Sequence, residues 1–120
     1  MKLTRVAPML TVPDIEASVK FYCETLGFTC RNQTEGWALV ERDAVEVMFA
    51  LPNPHMPVFT GAQFTGSLYF QMASGVDELW ESIRNKTTVV YPVETFDYGM
   101  REFAIRDNNG YLLQFGEEAG

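Results

Sequence analysis

The stretch AIRDNNGYLLQFGE, residues 104–117, decides the fold because a turn in it joins two apolar segments. The turn, DNNG (107–110), consists of Asp, Asn and Gly, which favour tight turns and tolerate the backbone conformations that turns require. Alternate residues after the turn fall on opposite faces of a strand, with Tyr111, Leu113 and Phe115 on one face and Leu112 and Gln114 on the other. The pattern predicts the last hairpin of a half-buried sheet, with an uncharged Gln114 directed away from the core.

Outward from this hairpin, the chain reads as two halves with the same order of elements, β-α-β-β-β. The first half predicts a strand in RVAPMLTV (5–12), a helix over 14–26, and strands in FTCRNQ (28–33), WALVE (37–41) and AVEVMFAL (44–51). The second half predicts a strand in SLYFQMA (67–73), a helix over 75–86, and strands in TVVYPVETF (88–96), MREFAIRD (100–107) and GYLLQFGE (110–117). A repeat of about 60 residues that occurs only twice is too long and too few for a solenoid, and it indicates a duplicated α+β domain.

Both helices are predicted from apolar residues at helical spacing and from their end signals. Ile15, Val19, Tyr22 and Leu26 line one face of the first helix, and Val76, Leu79, Trp80 and Ile83 line one face of the second. Pro13 and Asp14 suit the start of the first helix, and Gly27 suits its end. Ser74 and Asp77 form an S-x-x-D start signal, close to a capping box, for the second.

The boundaries between the halves follow from composition. We predict module one over 1–50, a linker over 51–65 and module two over 66–120. The linker contains several prolines and has no clear periodicity, and a loop of this length is often functional. It contains the only histidine, His55, which is expected to be a solvated surface residue.

Composition limits the function classes. Nine basic and sixteen acidic residues give a net charge of −7, which argues against nucleic acid as a partner and mildly favours cationic ligands. The first residues contain no long apolar run, so the sequence predicts neither a signal peptide nor a membrane span. We therefore expect a cytoplasmic protein. Cys23 and Cys30 lack metal-site spacing and are expected to be free thiols.

Two motifs, MLTVPDIEASVKFYCETLGF (9–28) and FAIRDNNGYLLQFGE (103–117), together with the repeated β-α-β-β-β order, resemble the vicinal oxygen chelate superfamily. This superfamily includes glyoxalase I, bleomycin-resistance proteins, fosfomycin-resistance enzymes and extradiol dioxygenases. The resemblance implies that each module curls its sheet into half of a cup, with helices on the outer face. It also implies a homodimer, often with cups completed by both subunits. Function does not follow from this fold, which supports many activities.

In the metalloenzymes of that family, His and Glu from the first and last strands of each module bind the metal. The matching positions here are Ala7, Glu46, Ser67 and Gln114. Alanine cannot coordinate a metal, and amides are poor ligands for Zn²⁺, Ni²⁺ or Fe²⁺. We therefore expect no metal and no cofactor. A register slip of one residue would put Val47 in place of Glu46.

The predicted inner faces of the strands are apolar and aromatic with a few polar groups, which is typical of a small-molecule pocket. From the first and fifth strands this face includes Ala7, Met9, Thr11, Ser67, Tyr69 and Gln71. The proposed ligand-binding residues are Trp37, Leu39, Glu46, Met48, Ser67, Tyr69, Gln71, Leu112 and Gln114. The alternative is that these residues pack against one another or against a second subunit.

Catalytic groups are sparse. No Ser-His-Asp set, nucleophile motif or phosphate loop is visible. Glu46 is a weak candidate for a general base, and the alternative is a solvated or ion-paired strand residue. The favoured function is therefore non-catalytic binding of a small organic molecule, as in bleomycin-resistance proteins. The alternatives are a diverged lyase, isomerase or dioxygenase with weak or no metal binding, and a ligand-free structural or regulatory dimer.

Overall fold

The computed structural model describes residues 1–55 and 58–120, and its chain divides into two compact units, Met1–Thr60 and Gly61–Gly120. Each unit contains one four-stranded mixed sheet and one helical segment, in the order β-α-β-β-β. The predicted α+β fold with two such modules is confirmed. The division falls inside the predicted linker 51–65, of which Met56 and Pro57 lie outside the described residues.

In the first unit the sheet order is β1-β4-β3-β2, and only the β1–β4 pair is parallel. The elements are β1 (Met9–Thr11), α1 (Ile15–Lys20), a π-helical segment (Phe21–Thr25), β2 (Thr29–Gln33), β3 (Trp37–Arg42) and β4 (Val45–Ala50). The first strand is shorter than the predicted 5–12.

The first helix begins where the sequence predicts, because Asp14 Oδ1 accepts a hydrogen bond from the backbone N–H of Ala17 at 3.1 Å. Its second half differs from a regular α-helix. Leu26 N–H donates to the carbonyl of Phe21, five residues back, which widens the last turn. Gly27 ends the segment with a φ of 77°, as its predicted capping role requires.

In the second unit the sheet order is β5-β8-β7-β6, with β5 parallel to β8. The elements are β5 (Leu68–Gln71), α2 (Val76–Ile83), β6 (Thr88–Thr95), β7 (Met100–Arg106) and β8 (Leu112–Glu118). The predicted DNNG turn joins β7 to β8. Asp107 Oδ1 accepts from the backbone N–H groups of Asn109 and Tyr111, both at 2.9 Å, and Gly110 has a φ of 99°.

The predicted start signal of the second helix is wrong. The N-cap residue is Gly75, with a φ of 91°, and the Glu117 carboxylate accepts from the first free N–H, that of Val76, at 2.6 Å. Asp77 instead pairs with Arg101 at 2.7 Å. A carboxylate from β8 thus replaces the local cap, because it satisfies the donor and complements the positive end of the helix.

Each helix packs on one face of its own sheet and leaves the other face free of helix. In the first unit, Tyr22 contacts Phe49 edge-on, with ring centroids 4.9 Å apart. In the second, Trp80 and Phe103 lie 5.3 Å apart, and Phe103 stacks on Phe115. We call the opposite face of each sheet its helix-free face. None of the described helices reaches the length and apolarity that crossing a membrane requires.

The strand registers decide which residues lie on the helix-free faces. In the first unit, Leu39 pairs with Met48, Glu41 with Glu46 and Trp37 with Ala50. Opposed residues share a face, and Val47 and Phe49 are fully buried on the other side. The predicted register is therefore the observed one: Glu46 lies on the helix-free face, and Val47 does not.

Candidate functional site

The most organised polar feature of the second unit is a chain of side-chain hydrogen bonds across its helix-free face. Ser67 Oγ donates to Gln114 Oε1 at 2.5 Å, and Gln114 Nε2 donates to Tyr91 Oη at 2.8 Å. Tyr91 Oη donates in turn to Glu102 Oε2, and Tyr69 Oη donates to Glu102 Oε1 at 2.9 Å. We call these five residues the Glu102 network. It links all four strands of the sheet, and it places Gln114 in the middle.

Strand register explains why these residues meet. Tyr69 pairs with Gln114 across β5 and β8, and Ala104 pairs with Gln114 across β7 and β8. Glu102 pairs with Gly116. The small side chain of Ala104 leaves room between Gln114 and Tyr91, which pairs with Ala104 from β6. Long polar groups therefore reach one another above a floor of small residues.

Gly116 is required by space rather than by backbone conformation. A Cβ at this position would overlap with Tyr69 Oη, lie 2.8 Å from Tyr69 Cζ and lie 3.1 Å from the Cβ of Glu102. Tyr69 therefore lies directly across the Gly116 backbone to reach the carboxylate. A methyl group here would displace the tyrosine from Glu102.

Glu102 is unusual because it is an acidic residue and is only 1% exposed. A buried carboxylate is tolerated when hydrogen bonds replace its hydration. Here two phenol groups supply those bonds, one to each oxygen. The carboxylate thus organises the tyrosines, since it can accept hydrogen bonds but has none to give.

The tyrosines around Glu102 have altered acidity. Desolvation and the hydrogen bond to Glu102 raise the pKa of Tyr91 to about 12, although the bond donated by Gln114 opposes this. The same two causes raise the pKa of Tyr69 above its ordinary value of 10.0. Desolvation and the nearby Glu102 carboxylate raise the pKa of Tyr98 in the same direction. All three phenols therefore keep their protons at neutral pH.

Alkaline titration should report this network. Because the pKa of Tyr91 is higher in the folded protein than the value of about 10 in an unfolded chain, the folded state holds its proton more tightly. That stabilisation is complete below about pH 10 and is lost as the pH rises towards about 12. Absorbance at 295 nm, followed together with circular dichroism, should show phenols that titrate above pH 10 while the protein is still folded. Ionisation of every tyrosine in the folded protein near pH 10 would contradict the network.

In the first unit, Glu46 lies in an ion-pair cluster. Its side chain is 11% exposed, with Oε1 at 2.8 Å from Arg5 Nε and Oε2 at 3.0 Å from Arg31 Nη1. Arg31 also approaches Glu41 at 3.4 Å. Both carboxylate oxygens of Glu46 are engaged with guanidinium groups, so the arrangement favours the ion-paired interpretation over the general-base candidate.

The four positions that match metal ligands in the family do not suit a metal. Ala7 has no donor atom, and Glu46 is held by two arginines. Ser67 and Gln114 are hydrogen-bonded to each other. Within residues 1–55 and 58–120, no three His, Cys, Asp or Glu side chains are grouped closely enough to hold a metal ion. These donors do not fit the Zn²⁺, Ni²⁺ or Fe²⁺ site of the metalloenzymes.

The contact between Ser67 and Gln114 makes the family correspondence testable. In the double variant Ser67→His and Gln114→Glu, an imidazole next to the start of β5 and a carboxylate on β8 should stand side by side. We expect this variant to bind Zn²⁺ or Ni²⁺ at least about tenfold more tightly than the parent, because both ligands are then of the preferred type. Isothermal titration of parent, single and double variants measures the effect. Equal affinities in all four proteins would contradict the proposed equivalence of positions.

The remaining predicted residues lie on the expected faces but differ in exposure. Leu39 is buried, Trp37, Met48 and Leu112 are half-buried, and Gln71 is exposed. His55 is exposed, and its backbone N–H donates to Asn53 Oδ1 within the linker. A surface concavity of about 690 Å³ in the first unit, near Pro13, Gln33 and Leu51, contains none of the predicted binding residues.

Sequence reasoning did not identify Glu102, Tyr91 or Gly116 as part of the site. Glu102 was within reach, because alternation along MREFAIRD places it opposite the apolar Phe103 and Ile105. Tyr91 could not be assigned to this face from the sequence, because irregularities in strand register on both sides of it interrupt the alternation along β6. Gly116 had no local signal, since its role depends on the path of Tyr69.

Comparison with known proteins places this geometry in a family. Residues 2–115 match the model of the Glyoxalase/Bleomycin resistance protein/Dioxygenase superfamily. A bleomycin resistance protein of Geobacillus stearothermophilus is 28% identical over 92% of this chain and 94% of its own length.

Solved structures agree on the fold. A protein of unknown function from Agrobacterium tumefaciens str. C58 gives a TM-score of 0.81 at 23% identity, over 98% of this chain and 96% of that one. A glyoxalase/bleomycin resistance protein/dioxygenase from Nocardioides gives 0.78 at 19% identity, over 98% and 85%. With the family model matched over nearly the whole sequence, the chain belongs to the Glyoxalase/Bleomycin resistance protein/Dioxygenase superfamily.

Proposed function

We propose that this protein binds a small organic molecule without transforming it. The observation that carries the proposal is the Glu102 network, in which oriented polar groups adjoin partly exposed aromatic rings. A few positioned polar groups among apolar and aromatic surface are typical of ligand sites. The bleomycin resistance proteins to which the chain is similar lend support, since binding a compound can confer resistance to it.

The absence of suitable metal donors at the four family positions favours binding over metal-assisted catalysis. The group closest to a general base, Glu46, is occupied by Arg5 and Arg31. Binding requires none of this chemistry, because affinity can arise from apolar contact and matched hydrogen bonds.

We assign ligand contact to residues of the helix-free faces. In module two these are Ser67, Tyr69, Gln71, Leu112 and Gln114, and in module one they are Trp37, Leu39, Glu46 and Met48. Tyr69 and Trp37 offer ring surface, and Gln114 offers both a donor and an acceptor. We also propose that the protein is a homodimer, which light scattering coupled to size-exclusion chromatography tests directly.

A thermal-shift screen with neutral, cationic and anionic small molecules tests the binding function. A ligand present at one hundred times its Kd adds about 2.7 kcal/mol to the free energy of unfolding, which is a clear shift for a domain of this size. Each compound that raises the Tm is then incubated with the protein and recovered for mass spectrometry. We expect at least one stabilising compound, recovered unchanged. A screen without any stabilising compound would refute binding, and a chemically altered compound would indicate an enzyme.

A further inference from the structure

The hydroxyl protons of the Glu102 network all point along the chain of hydrogen bonds. Ser67 gives its proton to Gln114, and Tyr69 and Tyr91 give theirs to Glu102. This direction is fixed by the carboxylate, which accepts only, and it forces Tyr91 to accept from Gln114. The amide of Gln114 is therefore held with Oε1 towards Ser67 and Nε2 towards Tyr91.

What remains available to a ligand is mostly acceptor capacity. The oxygens of Ser67 and Tyr69 keep free lone pairs, and no hydroxyl proton of Ser67, Tyr69 or Tyr91 is left to donate. Within the Glu102 network, the one remaining donor is the second N–H of Gln114. A ligand that approaches this face therefore gains most if it brings N–H donors.

Charge favours the same ligand. Glu102 forms no ion pair with a Lys, Arg or His side chain among the described residues, so its negative charge is solvated only by phenols. Arg101, its neighbour on β7, is paired with Asp77, and Arg106 donates to the backbone carbonyl of Gly110. A nearby cation would compensate the charge of the buried carboxylate.

Aromatic surface adjoins the acceptor groups. Tyr69 is 42% exposed and Tyr98 is 61% exposed. Phe96 stacks on Tyr98 with centroids 5.4 Å apart and meets Tyr91 edge-on at 5.5 Å. Ring faces attract cations and also pack against apolar groups.

We propose that the helix-free face of module two binds an organic cation that donates hydrogen bonds, namely a protonated amine on an aromatic or aliphatic body. This inference rests on the proposed binding function and specifies its ligand class. The face is selective because an anion would meet lone pairs and a buried carboxylate. A neutral hydrogen-bond acceptor would find a single free N–H in the Glu102 network, that of Gln114.

Four matched probes separate the contributions of charge, donors and ring. They are benzylammonium, benzyltrimethylammonium, benzyl alcohol and benzoate, each titrated at pH 7 by ligand-observed NMR. We expect benzylammonium to bind about tenfold more tightly than benzyl alcohol, since a charged donor strengthens each hydrogen bond. Benzyltrimethylammonium, which keeps the charge without the donors, should fall between them, and benzoate should bind most weakly.

Two variants locate the selectivity. Glu102→Gln should remove most of the preference for benzylammonium over benzyl alcohol, whereas Glu78→Gln, which removes the same charge from an exposed position on α2, should leave it unchanged. Tyr69→Phe keeps the ring but removes the hydroxyl lone pairs. It should lower the affinity for benzylammonium several-fold and leave the affinity for benzyltrimethylammonium unchanged. A merely structural role of the hydroxyl would change both affinities together. Circular dichroism verifies folding, and Tyr69→Phe provides the test if Glu102→Gln does not fold.

Three outcomes would overturn the inference. Benzyl alcohol or benzoate could bind the parent as tightly as benzylammonium, or the preference could persist in both folded variants. Stabilising hits in the broader screen that are all neutral or anionic would refute the cation class and leave the binding function standing. If no compound in either panel binds, the proposed function itself fails.

Discussion

Phe103→Ala should lower the free energy of unfolding by about 3–5 kcal/mol, which is a large share of the total for a domain of this size. Phe103 is fully buried, lies 5.3 Å from the ring of Trp80 on α2 and stacks on Phe115 of β8. Its removal leaves a cavity at the point where the helix meets the sheet, and it also removes two ring contacts. The surrounding strands cannot close this space, because β7 is hydrogen-bonded on both sides.

Urea denaturation followed by circular dichroism measures this effect. Two variants serve as controls. Phe103→Leu keeps most of the side-chain volume and should lower the free energy of unfolding by less than about 1.5 kcal/mol. Phe64→Ala removes the same ring from an exposed position and should change stability by less than about 0.5 kcal/mol. If Phe103→Ala were no more destabilising than Phe64→Ala, the assigned core of module two would be wrong.

The elements that the sequence predicts well are those whose determinants are local. Alternation along β8 separates Phe115 from Gln114, and the DNNG turn contains its own acceptor in Asp107. The same reasoning fixes the register of Glu46, because a slip of one residue would expose Val47 and Phe49. Burial of one face is a strong constraint on register, and it can be deduced from one strand at a time.

Features that depend on distant residues could not be predicted in this way. The second helix is capped by Glu117, which lies on a different element, so the local signal at Ser74 and Asp77 was misleading. Arg5, outside any strand, pairs with Glu46. Each partner is chosen by the tertiary structure, and many other residues in the sequence have the same chemistry.

The candidate site contains both features with local determinants and features that depend on distant residues. The sequence indicates that Ser67, Tyr69 and Gln114 share a face, because each position follows from alternation within a strand. The sequence does not reveal that Glu102 connects them, because that connection requires the path of Tyr69 across Gly116 and the irregular register around Tyr91. The direction of every hydrogen bond in the network follows from this one buried carboxylate. The polar character of the face is therefore a tertiary property rather than a property of any motif.

Tyr69→Ala should weaken binding of a stabilising compound from the screen by about 2–4 kcal/mol, as truncation of an aromatic anchor does at other binding hot spots. The ring is 42% exposed on the helix-free face and is held by its bond to Glu102, so a ligand gains apolar contact without ordering a mobile side chain. Tyr69→Phe keeps this contact surface and serves as the matched control for the ring.

Gln114→Leu, a change of similar volume, should keep the fold. It should weaken binding of the same compound by about 1–3 kcal/mol, because a polar group of the ligand is left without a partner. The change also removes the acceptor of Ser67 and the donor to Tyr91, whereas Tyr91 can still donate to Glu102. Isothermal titration of the parent and the three variants with one compound measures both effects. Parent-like affinity in both Tyr69→Ala and Gln114→Leu would mean that the ligand does not sit over the paired residues Tyr69 and Gln114, and the proposed binding site in module two would then be wrong.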